Sequence, residues 1–77
     1  MADIQARIVS EIKILGGKPV VKGTRIPVYL VIELLAAGMT EAEIMNEYPT
    51  LNREDIRACL QYASRILREE EIIPTGV

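Results

Sequence analysis

The 77-residue chain contains no histidine, tryptophan or phenylalanine and only one cysteine. A single cysteine excludes an intrachain disulfide, and without histidine the chain lacks the ligands of an ordinary zinc cluster. No side chains are arranged as a nucleophile–base pair, and the acids form no catalytic carboxylate pair outside the helix caps. We therefore expect a binding protein rather than an enzyme, with no metal, no cofactor and no small-molecule substrate.

Long apolar runs are absent as well. No stretch approaches the roughly 20 apolar residues of a membrane-spanning helix, and the N-terminus has no apolar signal core. We expect a cytoplasmic protein that does not enter the membrane. A chain this short buries only about 60% of its unfolded surface, yet 49% of its residues are apolar. With disulfides and metals excluded, burial of apolar surface between two copies remains as a source of stability, which predicts a homodimer.

The charges are unevenly placed along the chain. The net charge of −2 argues against indiscriminate nucleic-acid binding. However, residues 11–27 are mainly basic, whereas residues 28–50 contain acids and no cation. The cations of the basic segment have two interpretations, because they either hold phosphates or keep an exposed turn soluble. As phosphate contacts we assign Lys18, Lys22 and Arg25.

Residues 1–27 are predicted to form an N-terminal arm and a basic β-hairpin. Val20-Val21 and Thr24–Ile26 have the composition of two short strands, with Lys22-Gly23 near the turn between them. Residues 7–10 fit either a short strand or an extended arm.

The first helix is predicted to begin at Val28 and to end before Gly38. It is apolar nearly all round, so it needs cover on nearly all sides. A second subunit could supply part of that cover. As the dimer or partner interface we assign Leu30, Leu34, Ile72 and Ile73.

Two further helices begin at recognisable caps. Thr40 with Glu43 forms a capping box, and Asn52 with Asp55 resembles the same device. The two helices and the turn between them have the outline of a helix-turn-helix. Residues 28–68 are thus predicted to be a three-helix body, and residues 69–77 an acidic C-terminal tail. The third helix is expected to bury Ile56, Cys59, Leu60, Ala63, Ile66 and Leu67.

The other side of the third helix is polar and partly basic. Arg53, Arg57 and Gln61 recur every four residues, and arginine and glutamine are suited to guanine and adenine edges. The alternative is an ordinary solvated face, partly neutralised by Glu54 and Asp55. As base contacts in DNA we assign, from helix geometry, Asn52, Arg53, Arg57 and Gln61.

Three segments resemble the signature of the family called domain of unknown function 433. They are Ile14–Val28 (ILGGKPVVKGTRIPV), Glu33–Thr40 (ELLAAGMT) and residues 43–58. The resemblance implies a mainly α fold, a homeodomain-like helix-turn-helix of three helices with a small N-terminal β-hairpin. It also implies a prokaryotic type II antitoxin that binds a PIN-like ribonuclease toxin and represses its own operator as a dimer. The family brings no catalytic residues.

Two other functions stay open from the sequence. The same fold could be a protein-interaction module that does not bind DNA, which the net negative charge favours. A purely structural homodimer is the third possibility.

Overall fold

The computed structural model of the protein describes residues 4–69, with side chains from Ala6 onwards. Its architecture is mainly helical, with three α-helices and one small two-stranded antiparallel sheet, as predicted. The elements in chain order are a 3₁₀ turn Ile4–Arg7, β1 Ile8–Val9, a second 3₁₀ turn Leu15–Gly17, β2 Val20–Val21, α1 Val28–Ala36, α2 Glu41–Glu47 and α3 Arg53–Glu69. Within residues 4–69, no helix is long and apolar enough to span a membrane.

The sheet pairs different segments from those predicted for the hairpin. β2 pairs with β1, with Ile8 opposite Val21 and Val9 opposite Val20. Of the two possibilities for residues 7–10, the structure therefore shows a short strand. The predicted second strand, Thr24–Ile26, is not a strand, and that part of the prediction is wrong.

A side-chain-supported turn replaces the predicted second strand. The Thr24 hydroxyl donates to the Val21 carbonyl at 2.8 Å and accepts from the Ile26 N–H at 3.0 Å. Threonine hydroxyls compete in this way with strand hydrogen bonding. Gly23 takes the positive φ of 82° that the reversal needs.

Pro27 forms one isolated antiparallel bridge with Val20, made by hydrogen bonds from the Val21 N–H to the Ile26 carbonyl at 3.0 Å and from the Val28 N–H to the Pro19 carbonyl at 2.9 Å. The pairing goes no further because α1 begins at Val28.

Both predicted helix caps are confirmed. The Thr40 hydroxyl accepts from the Glu43 N–H at 3.1 Å, and the Glu43 carboxylate accepts from the Thr40 N–H at 2.9 Å. Before α3, the Asn52 side-chain oxygen accepts from the Asp55 N–H at 2.8 Å. The Asp55 carboxylate in turn accepts from the Asn52 N–H at 3.0 Å. These reciprocal bonds satisfy backbone donors that a helix start otherwise leaves unpaired.

The core lies where the three helices meet β2. Its buried members are Val21, Val28, Val31, Ile44, Leu51, Ile56 and Cys59. Each of these four elements supplies one or two of the core side chains, and Leu51 comes from the turn between α2 and α3. The core thereby joins α2 and α3 to α1 and to the small sheet.

The predicted burial along α3 is correct for Ile56 and Cys59 and wrong for the leucines and the isoleucine that follow, while Ala63 is half-buried. Ile56 and Cys59 are fully buried, but Leu60, Ile66 and Leu67 are 44%, 39% and 59% exposed. At 1.5 Å per residue, the 17 residues of α3 extend about 25 Å. The nine residues of α1 and seven of α2 extend only about 14 and 10 Å. The last turns of α3 therefore project beyond the body that could cover them.

Candidate nucleic-acid interface

The predicted base-contacting residues all lie at the exposed start and middle of α3. Asn52, Arg53, Arg57 and Gln61 are each exposed. Two of them also have roles inside the protein. The Asn52 side-chain oxygen caps α3, which leaves its amide N–H₂ as the group free to donate. The Arg53 Nε lies 3.4 Å from a carboxylate oxygen of Glu41 on α2.

Arg57 differs from Arg53 in its surroundings. Among residues 4–69 the ion pairs involve Arg7 and Arg53, and Arg57 takes part in none of them. Gln61 follows Arg57 by one helical turn. These two side chains therefore form the part of the predicted face that is most available to an outside ligand.

Both acids expected to neutralise this face contact Arg7, but only Asp55 is turned away from the face, whereas Glu54 lies within about 60° of Arg57 around the helix. Arg7 donates from Nη1 to the Asp55 carboxylate at 3.0 Å, and its Nη2 lies 3.4 Å from the Glu54 carboxylate. The side chain of Asp55 is only 10% exposed, whereas that of Glu54 is 63% exposed. A buried carboxylate needs such a partner, because desolvation of an unpaired charge is unfavourable.

Arg7 also links the arm to the basic turn. Its backbone carbonyl accepts from the Lys22 N–H at 2.7 Å. One residue thus joins β1, the turn after β2 and the first turn of α3. Sequence analysis missed this residue, because Arg7 and Asp55 are 48 positions apart and no local pattern relates them.

The basic face continues beyond the residues predicted to contact bases. A surface notch of about 420 Å³ lies between β1 and the second half of α3. It is lined by Ile8, Ala58, Gln61, Tyr62, Ser64, Arg65 and Arg68, with no acid among them. The Arg65 guanidinium lies 5.7 Å from the centre of the Tyr62 ring, a cation–π arrangement. The sequence signal for this extension was present, since Arg68 follows Gln61 by seven residues and so lies on the same side of α3.

The three cations assigned to phosphates do not form one cluster. Lys22 and Arg25 line a second notch, of about 400 Å³, together with Glu11. Lys18 lies apart from them, with its Nζ 5.4 Å from the centre of the Tyr29 ring on α1. All three side chains belong to the segment that precedes α1, but only two share a surface.

Cys59 is the one cysteine, and it is buried in the core. Burial, and secondarily the negative charge of Asp55, raises the pKa of its thiol from 9.0 to about 12. The thiol is therefore protonated at neutral pH and is a poor nucleophile. In the part of the chain that the structure describes, no group of three acidic or cysteine side chains could hold a metal ion.

The residues assigned to a dimer or partner interface are only partly described. Leu30 and Leu34 on α1 are half-buried, and Leu34 packs against the core. Ile72 and Ile73 lie outside the described residues. The large exposed apolar side chains of the described helices are instead Tyr29 on α1 and Leu60, Ile66 and Leu67 on α3.

Comparisons with known proteins show the family to which this chain belongs. The sequence profile of the family described as "Protein of unknown function (DUF433)" matches residues 8–63. Over 56 residues the chain is 45% identical to the uncharacterized protein y4eO of Sinorhizobium fredii (strain NBRC 101917 / NGR234). That match covers 73% of this chain but only 25% of y4eO, so the chain spans about a quarter of the length of this relative.

A solved structure has the same fold. The crystal structure of a DUF433 member protein from Anabaena variabilis ATCC 29413 superposes with a TM-score of 0.77 at 27% sequence identity. The superposition covers 86% of this chain and 65% of that protein.

Proposed function

Because this chain belongs to the DUF433 family, for which the function is unknown, we propose a function from its own surface. The protein is a cytoplasmic, non-enzymatic DNA-binding antitoxin. As a homodimer it represses its own operator, and it binds a PIN-like ribonuclease toxin.

The observation that carries the DNA-binding proposal is the exposed basic face of α3. Arg57, Gln61 and Arg68 are exposed on one side of α3, with Gln61 one turn after Arg57 and Arg68 two turns after Gln61. In the proposed helix-turn-helix, α3 is the second helix. Of the two acids in the first turn, Asp55 is paired with Arg7 on another side of the helix, whereas Glu54 lies on the basic face with a 3.4 Å contact to Arg7. In helix-turn-helix proteins the second helix enters the major groove, where arginine and glutamine distinguish base pairs.

The basic turn supplies backbone contacts in this proposal. Lys18, Lys22 and Arg25 hold phosphates, while α3 reads base edges. The hydrogen bond from Lys22 to Arg7, and the ion pair from Arg7 to Asp55, fix the turn relative to the start of α3. Such a fixed relation lets phosphate contacts set the register in which α3 meets the bases.

The toxin and the homodimer have weaker but separate support. The antitoxin role that the family resemblance implies supports the toxin as partner. The homodimer is supported by the high apolar content and by the exposed leucines of α3.

A binding titration on DNA from the protein's own promoter tests the proposal. Fluorescence anisotropy at several salt concentrations would compare the wild type with Arg57→Ala and with Lys22→Ala. Loss of a base contact by Arg57→Ala weakens binding by about 1–3 kcal/mol and relaxes base preference. Loss of a phosphate contact by Lys22→Ala weakens binding to all sequences and lowers the salt slope by about 0.9.

Lys13→Ala is the matched control, because it removes an exposed cation that the proposal leaves out of the DNA contact. An effect of Lys13→Ala equal to that of Lys22→Ala would show general charge attraction only. No binding of the wild type to any promoter fragment at low salt would refute DNA binding.

The alternative is a protein-interaction module of the same fold that does not bind DNA. The net charge of −2 favours it, since proteins that bind DNA through phosphates are usually basic. A stable complex with the product of the neighbouring gene, together with no DNA binding, would favour this alternative.

A further inference from the structure

The notch between β1 and the second half of α3 carries two arginines, Arg65 and Arg68. Neither is joined by an ion pair to another residue of the described range 4–69. The Gln61 amide and the Ser64 hydroxyl line the same notch, so neutral hydrogen-bond donors accompany the two guanidinium groups. No acid lines it. This lining is suited to an anionic group with several oxygen atoms, because arginine presents its N–H donors in a planar fork.

Arg65 is held in place by the protein itself. Its guanidinium lies 5.7 Å from the centre of the Tyr62 ring, and the residue is half-buried, whereas Arg68 is exposed. A cation–π contact limits the conformations of an arginine and leaves its positive charge in place. Such an arginine loses less conformational entropy on binding than a freely moving one. The notch therefore combines one fixed and one adaptable cation.

Two glutamates of α3 border this region, and neither lines the notch. Glu54 precedes Arg65 by eleven residues, which is about 16 Å along the helix axis. Glu69 follows Arg65 by one turn, but no ion pair joins them, and Glu69 is turned about 100° from Arg68. Both glutamates are exposed, so solvent screens their repulsion of an anion. The second half of α3 carries two arginines and one acid, the first half two of each, so the second half is more favourable for a negative charge.

The distance of the notch from the proposed base contacts matches the width of a DNA groove. At 1.5 Å per residue, Arg65 and Arg68 lie about 12 and 16 Å beyond Arg57 along the axis of α3. The major groove is about 12 Å wide, and its walls are the two sugar–phosphate backbones. In a helix-turn-helix protein the N-terminal part of the second helix contacts the base edges. The second half of a helix as long as α3 then lies at the backbone rather than at the bases.

The directions of the side chains agree with this distance. Around the helix, Arg65 is turned about 80° from Arg57, towards the notch, whereas Gln61 is turned only about 40°. A side chain on the flank of a helix in the groove meets a wall, and one on the central line meets the floor. Arg65 therefore points to a phosphate when Arg57 and Gln61 point to bases. Arg68 shares the direction of Arg57 but lies past the width of the groove.

We propose that the notch binds a phosphate of the DNA backbone, with Arg65 and Arg68 as its charged contacts. This inference rests on the proposed function, because it takes α3 to enter the major groove. It adds a second phosphate contact to that of the basic turn, where Lys22 is joined through Arg7 to the start of α3. The base-reading residues then lie between two backbone contacts, which fix both the register and the tilt of α3.

Salt titrations measure whether the two arginines hold a phosphate. The wild type and the double variant Arg65→Ala/Arg68→Ala would be titrated by fluorescence anisotropy with the promoter duplex and with an unrelated duplex. Loss of one phosphate contact should lower the slope of log K against log salt by about 0.9. Affinity for both duplexes should fall by the same factor, because a phosphate contact carries no sequence information.

The double variant Arg65→Lys/Arg68→Lys is the matched control. It keeps both charges and should therefore keep the salt slope of the wild type. Circular dichroism would show that the variants fold. Arg68→Ala alone changes only an exposed side chain, so it serves as the test if removal of the half-buried Arg65 unfolds the protein. It should weaken binding to both duplexes by the same factor.

Neutral methylphosphonate linkages locate the phosphate on the DNA. Introduced one at a time along the promoter duplex, they should weaken binding of the wild type at the phosphate that the notch holds. The same linkage should cause no further loss in the double alanine variant, because the effects of changes to two contacting groups are not additive. It should still weaken binding of Arg57→Ala, whose change lies at the bases.

An unchanged salt slope in the double alanine variant, or additive effects at every linkage, would overturn the proposal. If Arg57→Ala still weakened promoter binding, the proposed function would stand without the notch. Binding that showed no promoter preference but depended on the two arginines would support the notch and contradict the base contacts. An unchanged slope together with a lost complex with the neighbouring gene's product would show that the notch binds an acidic protein segment instead. No binding of the wild type to any duplex at low salt would refute both proposals.

Discussion

Arg7→Ala should lower the free energy of unfolding, although Arg7 lies outside the helical core. The guanidinium of Arg7 is the charge partner of Asp55, whose side chain is 10% exposed. Removal of one partner of a fully buried pair costs about 3–5 kcal/mol. Here Arg7 is 29% exposed, and Asp55 keeps its hydrogen bond from the Asn52 N–H. We therefore expect a smaller loss, of about 1–3 kcal/mol.

The contact with Glu54 serves as an internal control. It is longer, at 3.4 Å, and the Glu54 side chain is 63% exposed. Exposed ion pairs contribute about 0–1 kcal/mol. Glu54→Gln should therefore leave the free energy of unfolding nearly unchanged, in contrast to Arg7→Ala.

Urea unfolding followed by circular dichroism would measure these differences as shifts of the midpoint at constant slope. A double-mutant cycle of Arg7→Ala with Asp55→Asn isolates the pair, and a coupling energy of about 1 kcal/mol or more is expected. The reasoning fails if Arg7→Ala lies within about 0.5 kcal/mol of the wild type, the usual range for surface substitutions. It also fails if Glu54→Gln is equally harmful.

Three further substitutions or treatments test local features. Asn52→Ala should lower the unfolding free energy by about 1 kcal/mol in the same urea assay, because it removes the side-chain cap of α3. Gly38→Ala should cost about 1 kcal/mol, since Gly38 has a φ of 98° that alanine adopts poorly, and a stabilising effect would contradict the turn. The Cys59 thiol should resist alkylation at pH 8 in the folded protein and react once urea unfolds it. Because folding raises the pKa of this thiol from 9.0 to about 12, its contribution is complete below pH 9 and should be lost as pH rises from 9 towards 12. Thermal melts across that range, compared with Cys59→Ala, would measure the loss.

Some features of the candidate site depend on local sequence, and others depend on contacts between distant residues. The exposure of Arg57 and Gln61 could be predicted from the spacing along one helix. The engagement of Arg53 by Glu41 could not, because it depends on how α2 lies against α3. The pairing of Asp55 with Arg7 could not be predicted either, because no spacing rule connects residues 48 positions apart.

The sequence by itself determined where α2 and α3 begin, since each of these two caps is a pair of bonds between residues only three positions apart, as with Thr40 and Glu43. It also determined the family and the amphipathic pattern of α3. Only the tertiary structure decided that β2 pairs with β1, because a two-residue strand carries too little pattern to choose between partners. Only the tertiary structure left Leu60 and Leu67 exposed, because burial depends on the lengths of the neighbouring helices. Periodicity fixes which side of a helix is apolar, whereas the rest of the fold fixes how far along the helix that side is covered.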